Sequence, residues 1–132
     1  MESKMMEKMK NAVAWFEIPV NNLDRAKRFY EGILDIELID MDLGDEFKMS
    51  MFPVVPGGVS GAICKHKEYY KPSKEGTLVY LNAEPNLQSV LDRVINFGGK
   101  VLQEKTPISD EYGFMAILQD TEGNRIALHS SK

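Results

Sequence analysis

The chain has 132 residues, 43% hydrophobic and 27% charged, the balance of a globular domain rather than of a collagen-like or disordered one. With 16 Lys+Arg against 20 Asp+Glu the net charge is -4, and no basic stripe stands clear of acids, so nucleic acid is not an expected partner. No apolar run reaches the roughly 20 residues of a bilayer span, so no membrane is expected either.

Residues 1–10 carry four Met without strand alternation and read as a short helix or a tail. Met1-Glu2-Ser3-Lys4-Met5-Met6 lacks the apolar stretch of a secretory signal, and Cys64 is the single cysteine. Together these predict a cytoplasmic protein without a disulfide.

From residue 11 onward the chain predicts one domain. Ala12-Val13-Ala14-Trp15-Phe16-Glu17-Ile18-Pro19-Val20 is rich in β-branched and aromatic residues and predicts a strand. Asn21 and Asn22 can cap a helix whose first turn holds Asp24. In it Ala26, Phe29, Tyr30, Ile33 and Leu34 follow the spacing of a one-sided apolar stripe. Three short runs come next: Glu37–Asp40, Phe47–Phe52 and Val59–Ile63, separated by Gly44-Asp45 and Pro56-Gly57-Gly58. The charged stretch Lys65–Lys74 reads as a connector.

The order then recurs. Leu78-Val79-Tyr80-Leu81 predicts a strand and Pro85-Asn86 a helix start. Leu87, Val90, Leu91, Val94 and Ile95 repeat the stripe, and Gly98-Gly99 supply the stop. Lys100–Gln103, Gly113–Leu118 and Asn124–His129 follow, the last two joined by the tight reversal Asp120-Thr121-Glu122-Gly123-Asn124. The repeat predicts an α+β fold of two tandem βαβββ modules, about 12–65 and 76–131. Paired, they would make a curved, partly open mixed sheet around a cleft with the helices outside.

The stretch Trp15-Phe16-Glu17-Ile18-Pro19-Val20-Asn21-Asn22-Leu23-Asp24-Arg25-Ala26-Lys27-Arg28-Phe29-Tyr30 resembles the opening of the vicinal oxygen chelate superfamily. That superfamily covers glyoxalase I, bleomycin-resistance proteins, extradiol dioxygenases and methylmalonyl-CoA epimerase. Leu118-Gln119-Asp120-Thr121-Glu122-Gly123-Asn124-Arg125-Ile126-Ala127-Leu128 resembles its closing hairpin. Phe16–Val20, Gly98-Gly99-Lys100-Val101 and Lys105-Thr106-Pro107-Ile108 further resemble a glyoxalase-related group without an assigned function. The resemblance implies a homodimer, which the sheet edges also favour. It also implies metal-ligand positions on the first and last strands of each module. Carried over by spacing, these fall at Trp15, Gly61 or Ala62, Thr77 and Ala127.

Indole, methyl and a lone hydroxyl are poor donors for a divalent ion, so no metal cofactor is expected at the family position. Strand alternation puts Glu17 on the face of Trp15, and His129 on that of Ala127, which leaves a relocated metal as an alternative. His66, in the connector, would have to fold inward to join them.

The ligand-binding candidates are therefore Trp15, Glu17, Thr77, Ala127 and His129, each with a plainer reading beside it. Glu17 is the candidate general base, or an ion-pair partner at a subunit contact. Trp15 either stacks on a planar ligand or fills the cavity, and His129 either lines the cleft or sits solvated at a strand end. Cys64 is an inert buried thiol rather than a dyad with His66. Met49, Met51 and Met115 are core or pliable pocket wall, and Tyr69 and Tyr70 cover a cleft rim or a dimer contact.

Three functions fit. The first is a metal-free protein binding a small molecule in the inter-module cleft. The second is a lyase or isomerase related to glyoxalase, using Glu17 or a relocated metal. The third is a subunit whose cleft is closed by Trp15 and the Met side chains.

Overall fold

Asn22 begins the first helix as the sequence predicts: its side chain accepts the N–H of Arg25 at 3.0 Å, with its own backbone extended. The computed structural model describes residues 10–44 and 46–132. The expected N-terminal helix or tail, apart from Lys10, and Asp45 of the Gly44-Asp45 turn lie outside the described residues.

Strand β1 (Trp15–Pro19) leads into α1 (Leu23–Leu34), then β2 (Ile39–Asp42), β3 (Lys48–Met51) and β4 (Ser60–Lys65). The order repeats in β5 (Val79–Asn82), α2 (Leu87–Leu91), β6 (Lys100–Ser109), β7 (Gly113–Gln119) and β8 (Arg125–Ser130). Each module forms its own four-stranded mixed sheet, β1-β4-β3-β2 and β5-β8-β7-β6. The leading strand runs parallel to the last one in both, β1 beside β4 and β5 beside β8. These are the two tandem βαβββ modules that the repeat predicts.

The helix stripes explain the core. Ala26, Phe29, Tyr30 and Ile33 of α1 are buried. They meet Ile18, Val20 and Ile63 from the first sheet and Leu81, Ala116, Leu118 and Leu128 from the second in one apolar cluster. In the second module Leu87, Val90, Leu91 and Val94 join the same cluster, but Ile95 is 70% exposed. The helical stretch ends at Leu91, and Val94 and Gly98 donate to the carbonyls three residues back, of Leu91 and Ile95. Three residues per turn instead of 3.6 rotate Ile95 off the stripe.

Strand β6 is longer than its predicted run and reaches Ser109, with register shifts at Gln103, Thr106 and Ser109. Pro107 is tolerated because β6 is an edge strand, where an outward N–H has no partner to lose.

The modules are joined by the reversal between β7 and β8. The Oδ1 atom of Asp120 accepts the backbone N–H groups of Glu122 and Asn124 at 2.8 and 2.9 Å. Its Oδ2 atom accepts the Tyr30 hydroxyl at 2.6 Å and the Asn124 amide at 2.9 Å. That amide also donates to the Pro19 carbonyl at the end of β1, at 2.7 Å. Glu122, its side chain inaccessible to solvent, accepts the N–H groups of Asn21 and Asn22 at 2.9 Å each. It also takes a two-pronged contact from Arg25, 2.7 Å from Nε and 3.0 Å from Nη2. The second module thus clamps the start of the first module's helix.

Burial alone would raise the Glu122 pKa. The donors from Arg25, Asn22, Thr121 and Asn21 outweigh that and hold it below its ordinary 4.5. A lowered folded-state value stabilises the protein above that pH, and the contribution is lost as pH falls through the folded value. Glu122→Gln should therefore cost about 2 kcal/mol in denaturant unfolding at neutral pH. The deficit should shrink on acidification below about pH 4.5, as the wild type loses the same charge. An equal deficit at both pH values would contradict this account.

Candidate functional site

Strand alternation sorts the side chains of each sheet onto two faces. In the first module Phe16, Ile18 and Ile63 turn towards the helices and enter the shared core. Glu17 and Pro19 pair with Ala62 and Cys64 on the opposite, open face, and Met51 and Met49 continue that row onto β3. Gly61 pairs with Phe16 and belongs to the helix face, where a Cβ would strike the Phe16 ring. Ala62, not Gly61, is thus the β4 residue of the open face.

In the second module Tyr80 pairs with Ala127 and Asn82 with His129, and Ile117 and Met115 continue onto β7. Thr77 is exposed and precedes β5. The β5 residue lying across from Ala127 is Tyr80, which counting back from the helix start does not select. Its signal was the alternation in Val79-Tyr80-Leu81: once Leu81 is assigned to the core, Tyr80 must face the other way. The residues that share the open faces are thus Glu17 and Ala62, Tyr80 and Ala127, with His129 one step beyond.

A divalent ion requires three or four converging nitrogen, oxygen or sulfur donors. These positions supply one carboxylate, one phenol and two methyl groups, with one imidazole a step beyond, short of three converging strong donors. No group of three His, Cys, Asp or Glu side chains gathers among the described residues. The set does not fit the metal that the resemblance implies.

Around Glu17 the geometry is specific. Its Oε2 accepts the Trp15 indole N–H at 3.1 Å, and its Oε1 accepts the Tyr70 hydroxyl at 2.5 Å. Tyr70 comes from the connector, and its ring stacks on Phe47 at 5.4 Å and 16°. Beneath them Met49, Ala62 and Cys64 form a second, small buried cluster. The hydrogen bond to Glu17, with burial and the carboxylate charge, raises the Tyr70 pKa well above that of a free phenol. Trp15 is 41% exposed, so it rims this face without plugging it.

His66, in the connector, packs near Phe47 and Tyr69 at 6.1 and 4.7 Å between ring centroids. Its Nδ1 atom accepts the Glu68 N–H at 3.1 Å. His129, on the other module, contacts the Tyr112 carbonyl through Nε2 at 2.5 Å. A carbonyl only accepts, so Nε2 carries the proton. His129 also lines a hollow of about 250 Å³ with Tyr80, Leu81, Asn82 and Glu84.

With this geometry in hand, the profile of the Glyoxalase/Bleomycin resistance protein/Dioxygenase superfamily matches residues 12–128. The chain belongs to that superfamily. No curated protein matches it.

Among solved structures, a glyoxylase/bleomycin resistance protein/dioxygenase domain from Frankia sp. is 17% identical, with a TM-score of 0.65 over 94% of this chain and 100% of that one. A glyoxalase/bleomycin resistance protein from Albidiferax ferrireducens is 18% identical, with a TM-score of 0.62 over 91% and 98%. A glyoxalase I mutant from Zea mays is 17% identical at 0.66, over 89% of this chain and 45% of that one. Likeness at such identities is of fold, and the superfamily's fold does not decide among its chemistries.

Cys64 is buried on this face, and burial, then the Glu17 charge and hydrogen bond, push its thiol up to about 12. Iodoacetamide at about pH 8 should leave the folded protein unmodified and label it after denaturation, read by intact mass. Labelling of the folded chain at the rate of a free thiol would show that the face opens at Cys64.

Proposed function

We propose that the chain binds a small organic molecule on the open faces of its two sheets, without a divalent metal at the family position. The observation that carries this reading is the register: Glu17 stands opposite Ala62, and Tyr80 opposite Ala127. Small buried methyls flanked by aromatic rings, Met side chains and a few polar groups suit an organic ligand better than an ion.

We also propose a homodimer. Trp15, Ile39, Met41 and Tyr80 are all exposed, and β1 and β5 are unpaired on their outer sides within their sheets. A second copy could cover part of this apolar surface and complete the binding region.

The test is a thermal-shift screen of the purified protein against small metabolites and antibiotics, with metal analysis and light scattering on the same sample. Substoichiometric metal, a rise in melting temperature with at least one compound and a mass twice the 15.0 kDa of the chain are expected. A stoichiometric divalent metal would overturn the metal-free reading, a flat screen the binding reading and a monomer the dimer.

A second reading, an isomerase or lyase with Glu17 as general base, draws on one observation. The carboxylate is held at both oxygens, by Trp15 and Tyr70, as an oriented base would be. If so, a panel of small carbonyl compounds in deuterated water should show deuterium entering beside the carbonyl. Glu17→Gln should abolish that exchange, and no exchange with the wild type would discard the reading.

A further inference from the structure

The open face of the first module carries the exposed carboxylate of Glu17, which makes no ion pair among the described residues. Both donors to Glu17 are neutral, an indole N–H and a phenol O–H. Among the described residues the ion pairs are Arg25–Glu122, Lys27–Asp40 and Lys67–Glu46, and none involves Glu17. Lys48 and Lys65 pair with each other across β3 and β4, and each is one residue from Met49 or Cys64, hence on the other face.

The surroundings select the kind of cation that would compensate it. Tyr70 stacked on Phe47 makes an aromatic wall, Trp15 adds a second aromatic edge, and part-exposed Met51 adds a polarizable thioether. A phenol donating to a carboxylate gains electron density in its ring, which strengthens the attraction of the ring face for positive charge. Such walls cannot replace the water around a small inorganic ion. They suit a charge spread over C–H groups.

We propose that the Trp15–Glu17–Tyr70 cluster binds an organic cation of the quaternary or tertiary ammonium class. The cation's alkyl groups lie against Trp15, Tyr70 and Met51, and its charge faces Glu17. This rests on the reading of the open face as a small-molecule site and names the ligand class of its first half.

Trp15 is the only tryptophan of the chain, so its emission reports this site directly. The intact protein is titrated with choline, with the uncharged isostere in which carbon replaces the quaternary nitrogen, and with sodium chloride at matched ionic strength. Choline should change Trp15 emission saturably, and the isostere should bind about tenfold more weakly. Glu17→Gln, which keeps shape and removes charge, should weaken choline about tenfold and leave the isostere unchanged. Tyr70→Leu should weaken choline severalfold and serves if the first variant folds poorly.

Equal binding of choline and isostere, or an unaltered Glu17→Gln, would overturn the cation assignment while leaving the face a small-molecule site. An emission that choline does not move would overturn the cluster as a site. The thermal-shift screen then decides separately whether ligands bind elsewhere on the open faces.

Discussion

The architecture depends on two carboxylates in the β7–β8 reversal. Asp120 closes its own turn and receives the buried Tyr30 hydroxyl, and Glu122 receives the two N–H groups just ahead of α1 together with Arg25. A carboxylate out of water is costly unless its lone pairs are filled, and here N–H groups of the turn itself and donors from the first module fill them together. The arrangement couples the modules in a directional way that apolar contact between helix stripes cannot. It also pins the end of β1 to the start of β8 through Asn124 and Pro19. Glu17 and Ala127 thus belong to strands whose neighbouring ends are tied together.

That clamp leaves each sheet with two unlike faces. The helix face carries the shared core, and its packing is tight enough that a side chain at Gly61 would collide with Phe16. The open face is released from the duty of holding the modules together. It can present partly exposed Trp15 and Tyr80, which would be wasteful if burial were their purpose. Ala62 and Ala127, which stand opposite Glu17 and Tyr80 on this face, offer methyl groups without a lone pair.

The two modules share a topology but not a surface. In the first, the connector folds back so that Tyr70 reaches Glu17 and stacks on Phe47 over a floor of Met49, Ala62 and Cys64. In the second, Tyr80 and Asn82 are exposed, and His129 is held by the Tyr112 carbonyl beside a small hollow. Duplication supplied two equal scaffolds, and the 65–74 connector made them unequal.

Local periodicity and turn chemistry sufficed to read the repeated βαβββ order, both Asn caps, most of both helix stripes and the closing reversal. Each depends on neighbours within one or two turns of chain. The faces of Glu17 and His129 were equally legible, because alternation is a local property of a strand. What the chain alone could not decide were pairings between distant residues. Tyr80 stands opposite Ala127, while Thr77, reached by counting from a turn, precedes β5, because register decides which side chains meet. Ile95 leaves its stripe because the backbone tightens after Leu91. The roles of Glu122 and Tyr70 appear only when segments far apart in the chain come together, since a carboxylate or a phenol in isolation carries no sign of the donor or acceptor it will meet.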